Sequence, residues 1–296
     1  MRILVTGAGG QVGRALIERG VASGIDMPGP GHGMLDITRP GCASDYMAAL
    51  RPDMVINAAA YTAVDRAESE PEAAYAVNRD GPASLADACR EADVPLLHIS
   101  TDYVFDGALS RPYRENDEPN PRSVYGKSKL EGERAVAQRL DRHIILRVAW
   151  VFSAHGENFV KSMLRLGAER EELGVVDDQK GAPTWADDIA SVLLNIASQC
   201  MRDTDPAWGI YHYTGTPETT WYGFSRAIFD QAVEIGLLEK APIVHPIRTE
   251  QYPTPAARPG NSALECRKLL NVFGIDQADW HTGLGTVLQQ WRADDA

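Results

Sequence analysis

The chain has 296 residues, 44% hydrophobic and 24% charged, the make-up of an ordinary globular protein of two domains or of one large domain with an appended lobe. Its net charge of -12 argues against a nucleic-acid or anionic-membrane surface, because both attract an excess of Lys and Arg. The four cysteines form no Cys-x-x-Cys and the seven histidines no His-x-x-x-His, so neither a disulfide framework nor a zinc site is expected. With no apolar run near ~18 residues and no signal-peptide pattern, the expected location is cytoplasmic.

The first stretch, RILVTGAGGQVGRALIERG, reads as a short apolar strand, a glycine turn, and a helix with Val12, Leu16 and Ile17 on one face. Gly7, Gly10 and Gly13 fall in the turn, where small residues let backbone N–H groups and a helix N-terminus approach a pyrophosphate. A purely structural turn is the alternative. Asp26 closes a predicted second strand 19 residues after Gly7, the spacing of a carboxylate that binds an adenosine ribose. It is equally placed to be a turn residue before Pro28. No arginine follows until Arg39, so the sequence leans to NADH over NADPH.

MPGPGHG after Asp26 must be a loop. DMVINAAA, PLLHIS and HIILRVAW are further apolar runs, each preceded by an amphipathic helical pattern. Strands without polar alternation suit a parallel sheet covered on both faces, so the fold expected is α/β, a doubly wound parallel sheet of Rossmann type. The pattern runs to about Trp150, which gives residues 1–150 as a dinucleotide-binding domain. Residues 151–296 are expected to form a smaller substrate lobe, with later segments free to return to the sheet. That half contains a helix near Asn158 to Arg170, a short strand LGVV, a helix after DQKGAPTW, another from Trp221, and the Pro-rich HPIRTEQYPTPAARPGNS.

Between PLLHIS and HIILRVAW lies SVYGKSKLEGE, preceded by Asn120-Pro121, a plausible helix start. Tyr125 and Lys129 then stand one turn apart on one helix face. A free phenol, with a pKa near 10, is a poor acid–base group at neutral pH; a neighbouring ammonium brings it nearer its working range. As hydride attacks a ketone, such a tyrosine can protonate the alkoxide that forms. Thr101 ends a predicted strand, where open α/β sheets place ligands, and its hydroxyl can meet the same oxygen or simply satisfy backbone. Gly126 and Gly132 keep the helix thin where cofactor or sheet approaches.

The glycine turn, NAAA (Asn57–Ala60), STD (Ser100–Asp102) and YGKSK (Tyr125–Lys129) together resemble the extended short-chain dehydrogenase/reductase family, over the whole chain. AAAYTAVDRAE, STDYVFDG, DDQKGAPT and RPGNSAL resemble its dTDP-4-dehydrorhamnose reductase branch. The resemblance implies hydride transfer from NADH or NADPH to the 4-keto group of dTDP-4-dehydro-L-rhamnose, with Thr101, Tyr125 and Lys129 as the catalytic set. It places Gly10, Gln11 and Val12 on the cofactor phosphates, Asp36 and Ile37 at the adenine, and Ala59, Ala60 and Tyr61 on the nicotinamide side, with Lys129 also on the ribose. Thr101, Asp102, Trp150, Asn158, Val176 and Arg258 fall to the dTDP-sugar, although Trp150 could be a core residue and Arg258 a solvated loop charge.

The long MPGPGHG loop puts the contacts of Asp36 and Ile37 in doubt. Some members of the family dimerise through a carboxylate-bound magnesium; the first-helix position is Ala15 here, so no metal is expected, and the chain should be a monomer or weak homodimer. Two other functions share the motifs: a sugar-nucleotide 4,6-dehydratase or epimerase, and a non-catalytic subunit like the regulatory subunit of methionine adenosyltransferase. Dehydratases carry an Asp-Glu pair after the threonine; this chain has Asp102-Tyr103. Asp65 and Glu68, in VDRAE, have no evident role in the sequence.

Overall fold

The structure, a computed structural model, describes residues 1–294. Five strands, β1 (Ile3–Thr6), β2 (Met54–Asn57), β3 (Leu96–Thr101), β4 (His143–Val148) and β9 (Gly209–His212), lie side by side in that order, every pair parallel. Side chains alternate across the sheet, so both faces take apolar residues and each needs a cover. Ile3, Val5, Ile56, Leu97 and Ile144 pack under α1 (Gln11–Ala22) and α8 (Ala186–Cys200). On the opposite face Leu4, Val55 and Leu96 pack under α2 (Cys42–Leu50), α5 (Gly81–Ala92) and α6 (Val124–Arg139).

The expected second strand shrinks to a single bridge, Arg2 to Asp26. Ile3 N–H bonds the Asp26 carbonyl at 2.8 Å and Val5 N–H bonds that of Pro28 at 2.9 Å, so the segment does run along the outer edge of β1. Pro28 and Pro30 lack the N–H groups that would extend the ladder. Because β2 lies on the other side of β1, the winding reverses there, and the crevice for a ligand opens at the carboxyl ends of these strands.

Between β2 and β3 the chain forms α3 (Val64–Ala67), α4 (Pro71–Tyr75) and a π-helical turn (Ala76–Asp80) leading into α5. Helix α6 starts at Val124, later than Asn120-Pro121 suggested: Ser123 is the N-cap, its Oγ accepting the Gly126 N–H at 3.1 Å, while the Asn120 side chain donates to Asp106.

The second half divides. Helix α8, strand β9 and α10 (Arg267–Phe273), which sends Leu269 and Phe273 into the same core, complete the sheet unit. The lobe itself is α7 (Phe159–Glu169), α9 (Trp221–Glu234), α11 (Trp280–Asp294) and the parallel pair β6 (Glu172–Val176) and β11 (Ile243–Ile247). Its own core contains Phe152, Val160, Leu173, Phe224, Ile228, Trp280 and Leu284. Short pairs, β5 (Val151–Phe152) with β8 (Thr184–Trp185) and β7 (Lys180–Gly181) with β10 (Thr219–Thr220), join lobe to sheet.

Candidate active site

The glycine turn joins β1 to α1 under tight constraints. Gly7 has φ +69°, and a side chain there would meet the Ala58 backbone at 2.5 Å; one at Gly13 would strike the Gly7 carbonyl. Gly9, in contrast, faces open space, and the first turn of α1 carries no acidic residue. The amide-lined end of α1 is therefore free of competing negative charge and open to an anion, as the phosphates of a dinucleotide require. Gln11 also spans to the lobe: its Oε1 accepts from Asn158 Nδ2 and Ser153 Oγ, both at 3.1 Å.

Ala59, Ala60 and Tyr61 are held in a fixed loop across the crevice. Asn57 Oδ1 accepts the Thr6 hydroxyl at 2.6 Å and the Ala59 N–H at 3.1 Å, while its Nδ2 donates to His98 Nδ1 at 2.9 Å. Burial holds His98 neutral, well below the usual histidine range. Asn78, in the π turn, brackets Tyr61, accepting its N–H at 2.8 Å and donating to its carbonyl at 3.0 Å and to Ser128 of α6. Gly132 of α6 lies against the Asn78 carbonyl and Gly126 against that of Tyr103, so both helix glycines serve close approach, to the backbone of neighbouring turns where cofactor or sheet was expected. Sequence reasoning missed Asn78; a π turn has no periodic signature.

Thr101, Tyr125 and Lys129 come together at the end of β3. The three are 5%, 8% and 2% exposed, so the chemistry they support is shielded from water. Lys129 Nζ donates to the Ile99 carbonyl at 2.7 Å. Burial lowers its pKa to about 8, with the Glu133 carboxylate pulling the other way. Tyr125 is pushed up to about 12 by burial, against the lowering effect of the Thr101 hydroxyl. The ammonium was expected to bring the phenol down; instead Lys129 Nζ is engaged with the Ile99 carbonyl and only the Thr101 hydroxyl opposes burial, and a phenol that keeps its proton suits a proton donor. Asp102, beside them, accepts the Thr101 hydroxyl at 3.0 Å, and burial raises its carboxyl to about 6.

The substrate-side residues are dispersed around the crevice. Trp150 takes a left-handed conformation (φ +50°) and stacks on Trp221 with ring centroids 3.6 Å apart. Strain of that kind in a bulky residue marks a functional position more often than a packing one. Trp221, with Phe159 packed on it at 4.6 Å, was read in the sequence only as the start of a helix. Asn158 is the N-cap of α7, with Nδ2 spent on Gln11 and the Ser153 carbonyl, so it fastens the lobe to the cofactor turn. Val176 is buried at the end of β6. Arg258 donates to Asp65 at 2.7 Å, and its charge reaches Tyr103, whose ring stands edge-on to Tyr125 at 5.4 Å.

Asp26 is engaged within the protein: its carboxylate accepts from Arg2 Nε at 2.6 Å, level with the start of β1. Four residues, about 13 Å of strand, separate that level from Thr6 at the end of β1. Asp36 binds the Thr38 N–H and hydroxyl at 2.9 and 2.7 Å, which lowers its pKa, and Ile37 is buried against Gly81 of α5. Ala15 is buried in α1, and one turn on Arg19 engages Asp187 of α8 at 2.9 Å.

The family model described as RmlD substrate binding domain matches residues 1–293. Among curated relatives, the dTDP-4-dehydrorhamnose reductase of Aggregatibacter actinomycetemcomitans is 47% identical over 287 residues, 97% of this chain and 98% of the relative. Among solved structures, a dTDP-4-dehydrorhamnose reductase from Clostridium acetobutylicum is 36% identical with a TM-score of 0.91, covering 99% of this chain and 100% of its own. One from Bacillus anthracis, in complex with NADP, is 35% identical with a TM-score of 0.90, covering 98% and 99%.

Proposed function

The chain belongs to the family described as RmlD substrate binding domain, and from that premise we propose that it reduces the 4-keto group of a dTDP-4-dehydro sugar, dTDP-4-dehydro-L-rhamnose giving dTDP-L-rhamnose, with a nicotinamide dinucleotide. The observation that carries this reading is the dry Thr101–Tyr125–Lys129 arrangement beside an anion-ready glycine turn.

The glycine turn and α1 N-terminus would hold the phosphates, Ala59–Tyr61 would flank the nicotinamide, and the open space at Gly9 fits such a group. When bound, the reduced nicotinamide supplies hydride. Thr101, whose hydroxyl donates to Asp102 here, would turn it to the ketone oxygen, Tyr125 would protonate that oxygen as it becomes an alkoxide, and Lys129, held on the Ile99 carbonyl, would offer a further N–H to the ribose. The Trp150–Trp221 stack offers an apolar wall for the sugar-nucleotide, and Arg258 a cation for its pyrophosphate. The four cysteines are free, which suits the reducing cytoplasm, and among the described residues no helix is long and apolar enough to cross a membrane. Monomer or weak homodimer remains the proposed state, since the first-helix position holds Ala15, which has no carboxylate to share a metal with a second copy.

The test is oxidation of NADPH or NADH with dTDP-4-dehydro-L-rhamnose, followed by identification of the product. No turnover would favour the non-catalytic subunit reading. With dTDP-glucose and catalytic NAD no 4-keto-6-deoxy sugar should form, because burial pushes the Tyr103 phenol far above the range of a neutral-pH base. Steady formation of that product would overturn the reductase assignment.

The position of Asp26 bears on cofactor choice. With its carboxylate engaged by Arg2 at the start of β1, it would not repel a ribose 2′-phosphate, and we propose that NADPH is accepted at least as well as NADH. Asp26→Ala should leave the ratio of kcat/KM for the two cofactors unchanged and cost only the exposed Arg2 pair, about 0.2–1 kcal/mol. A shift toward NADPH would return Asp26 to the ribose. Lys129 gives a second expectation. Its ammonium, lowered to about 8 by burial, loses charge as pH rises through that value. Cofactor Kd should therefore be flat from pH 6 to 7 and weaken above about 8; a flat curve to pH 9.5 would remove the charge from binding.

A further inference from the structure

The seven residues after the Ala59–Tyr61 loop hold two carboxylates that the chemistry above does not use. Glu68 Oε1 accepts the N–H of Val124, the first residue of α6, at 2.8 Å. That N–H has no partner within its own helix, since the first N–H groups of any helix are left over. Val124 immediately precedes Tyr125, so the bond fixes the turn that carries the phenol. Asp65, three residues earlier, takes two donors from the Pro-rich loop: the Ala256 N–H at 3.2 Å and Arg258 Nη2 at 2.7 Å. This loop forms no regular element between Gln251 and Arg267, and its prolines cannot donate to a ladder, so Asp65 sets where Arg258 sits. The guanidinium side chain is 20% exposed and Asp65 41% exposed, which leaves the pair at the mouth of the crevice.

We infer that Asp65 and Glu68 are positioning residues with separate tasks: Glu68 seats the catalytic turn of α6, and Asp65 seats Arg258 for the anionic part of the substrate. The inference rests on the reduction proposed above. The four-residue helix α3 and its C-cap residue Glu68 thereby link the nicotinamide-side loop, the proton donor and the substrate cation. A merely structural clamp would affect all three together, whereas two tasks predict that the kinetic constants divide.

The experiment is steady-state kinetics of the full chain with NADPH and dTDP-4-dehydro-L-rhamnose, plus hydrogen exchange of peptides covering residues 123–128. Glu68→Ala should lower kcat roughly ten-fold, the scale of one charged hydrogen bond, with sugar-nucleotide KM within two-fold. Glu68→Gln, which keeps an acceptor oxygen, should restore kcat. Asp65→Ala should raise sugar-nucleotide KM roughly ten-fold or more with kcat nearly kept and NADPH Kd unchanged. Asp65→Asn, lacking the charge, should recover only part. Exchange at the start of α6 should quicken in Glu68→Ala and not in Glu68→Gln or Asp65→Ala. Equal effects on kcat and KM in both alanine variants, or an alanine and a glutamine at 68 that behave alike, would overturn the inference. If the wild-type chain fails to reduce the sugar, the functional reading falls, and the exchange pattern alone decides the role of Glu68.

Discussion

Tyr125→Phe should lower kcat by about 10²–10⁴ while cofactor Kd stays within two-fold. Tyr125 is 8% exposed, which limits the water at hand to replace its proton. Burial keeps that proton in place, with the pKa pushed up to about 12. Such a group is fully protonated at neutral pH and needs no prior uptake of a proton to act as the acid. The ring itself packs edge-on to Tyr103, a contact that phenylalanine retains, so the fold should be unaffected. Single-turnover absorbance at the nicotinamide band, with direct titration of the cofactor, checks both halves. Near-normal turnover would remove Tyr125 from the mechanism.

The second large effect concerns stability. Under α6, Arg147 of β4 forms a two-pronged pair with Glu133, Nε to Oε1 at 2.9 Å and Nη2 to Oε2 at 2.6 Å, with both side chains 2–3% exposed. Ser100 donates to the same carboxylate, and Arg147 Nη1 meets His212 Nε2 at 3.5 Å. Burial and the Arg147 charge drive His212 down to about 3, so it stays neutral, with Nδ1–H donating to the Tyr113 carbonyl. Glu133→Gln leaves the guanidinium buried without a countercharge and should cost about 3–5 kcal/mol. Replacing both partners with apolar residues, Glu133→Leu with Arg147→Met, should recover most of that loss, since the desolvation of both charges is then avoided. Urea midpoints of the single and double variants test this. A single variant within 1 kcal/mol of wild type would show the pair to be solvated.

The parts of this architecture visible in the sequence were those whose physics is local. Apolar runs with no alternation gave the buried strands, the glycine spacing gave the turn, and the four-residue interval gave Tyr125 and Lys129 a common helix face. For Asp26 a chain count cannot see that the segment along β1 begins, and does not end, at this residue, which leaves the carboxylate opposite Arg2. Asn120-Pro121 misled because Ser123 outcompeted it as a cap. Glu133 reads as a solvent-facing helix residue until β4 places an arginine beneath it, and Glu68 and Asp65 gain partners 56 and 193 positions away. Asn158 was expected at the substrate and is placed as a helix cap tied to Gln11. Long-range polar pairing of this sort has no periodic trace.

The order of strands also imposes a timetable on synthesis. β4 ends at Val148, yet its outer neighbour, β9, does not begin until Gly209. Until then the nascent chain presents an unpaired strand edge, and α1 shows the apolar face that α8 later covers. At about 5–20 residues per second, the wait is on the order of 3–12 seconds. The lobe segments α7 and β6 are made within that interval, before the sheet beneath them is closed. A ribosome paused there would hold a half-built sheet with a sticky margin, which makes this interval the natural point for a chaperone to act.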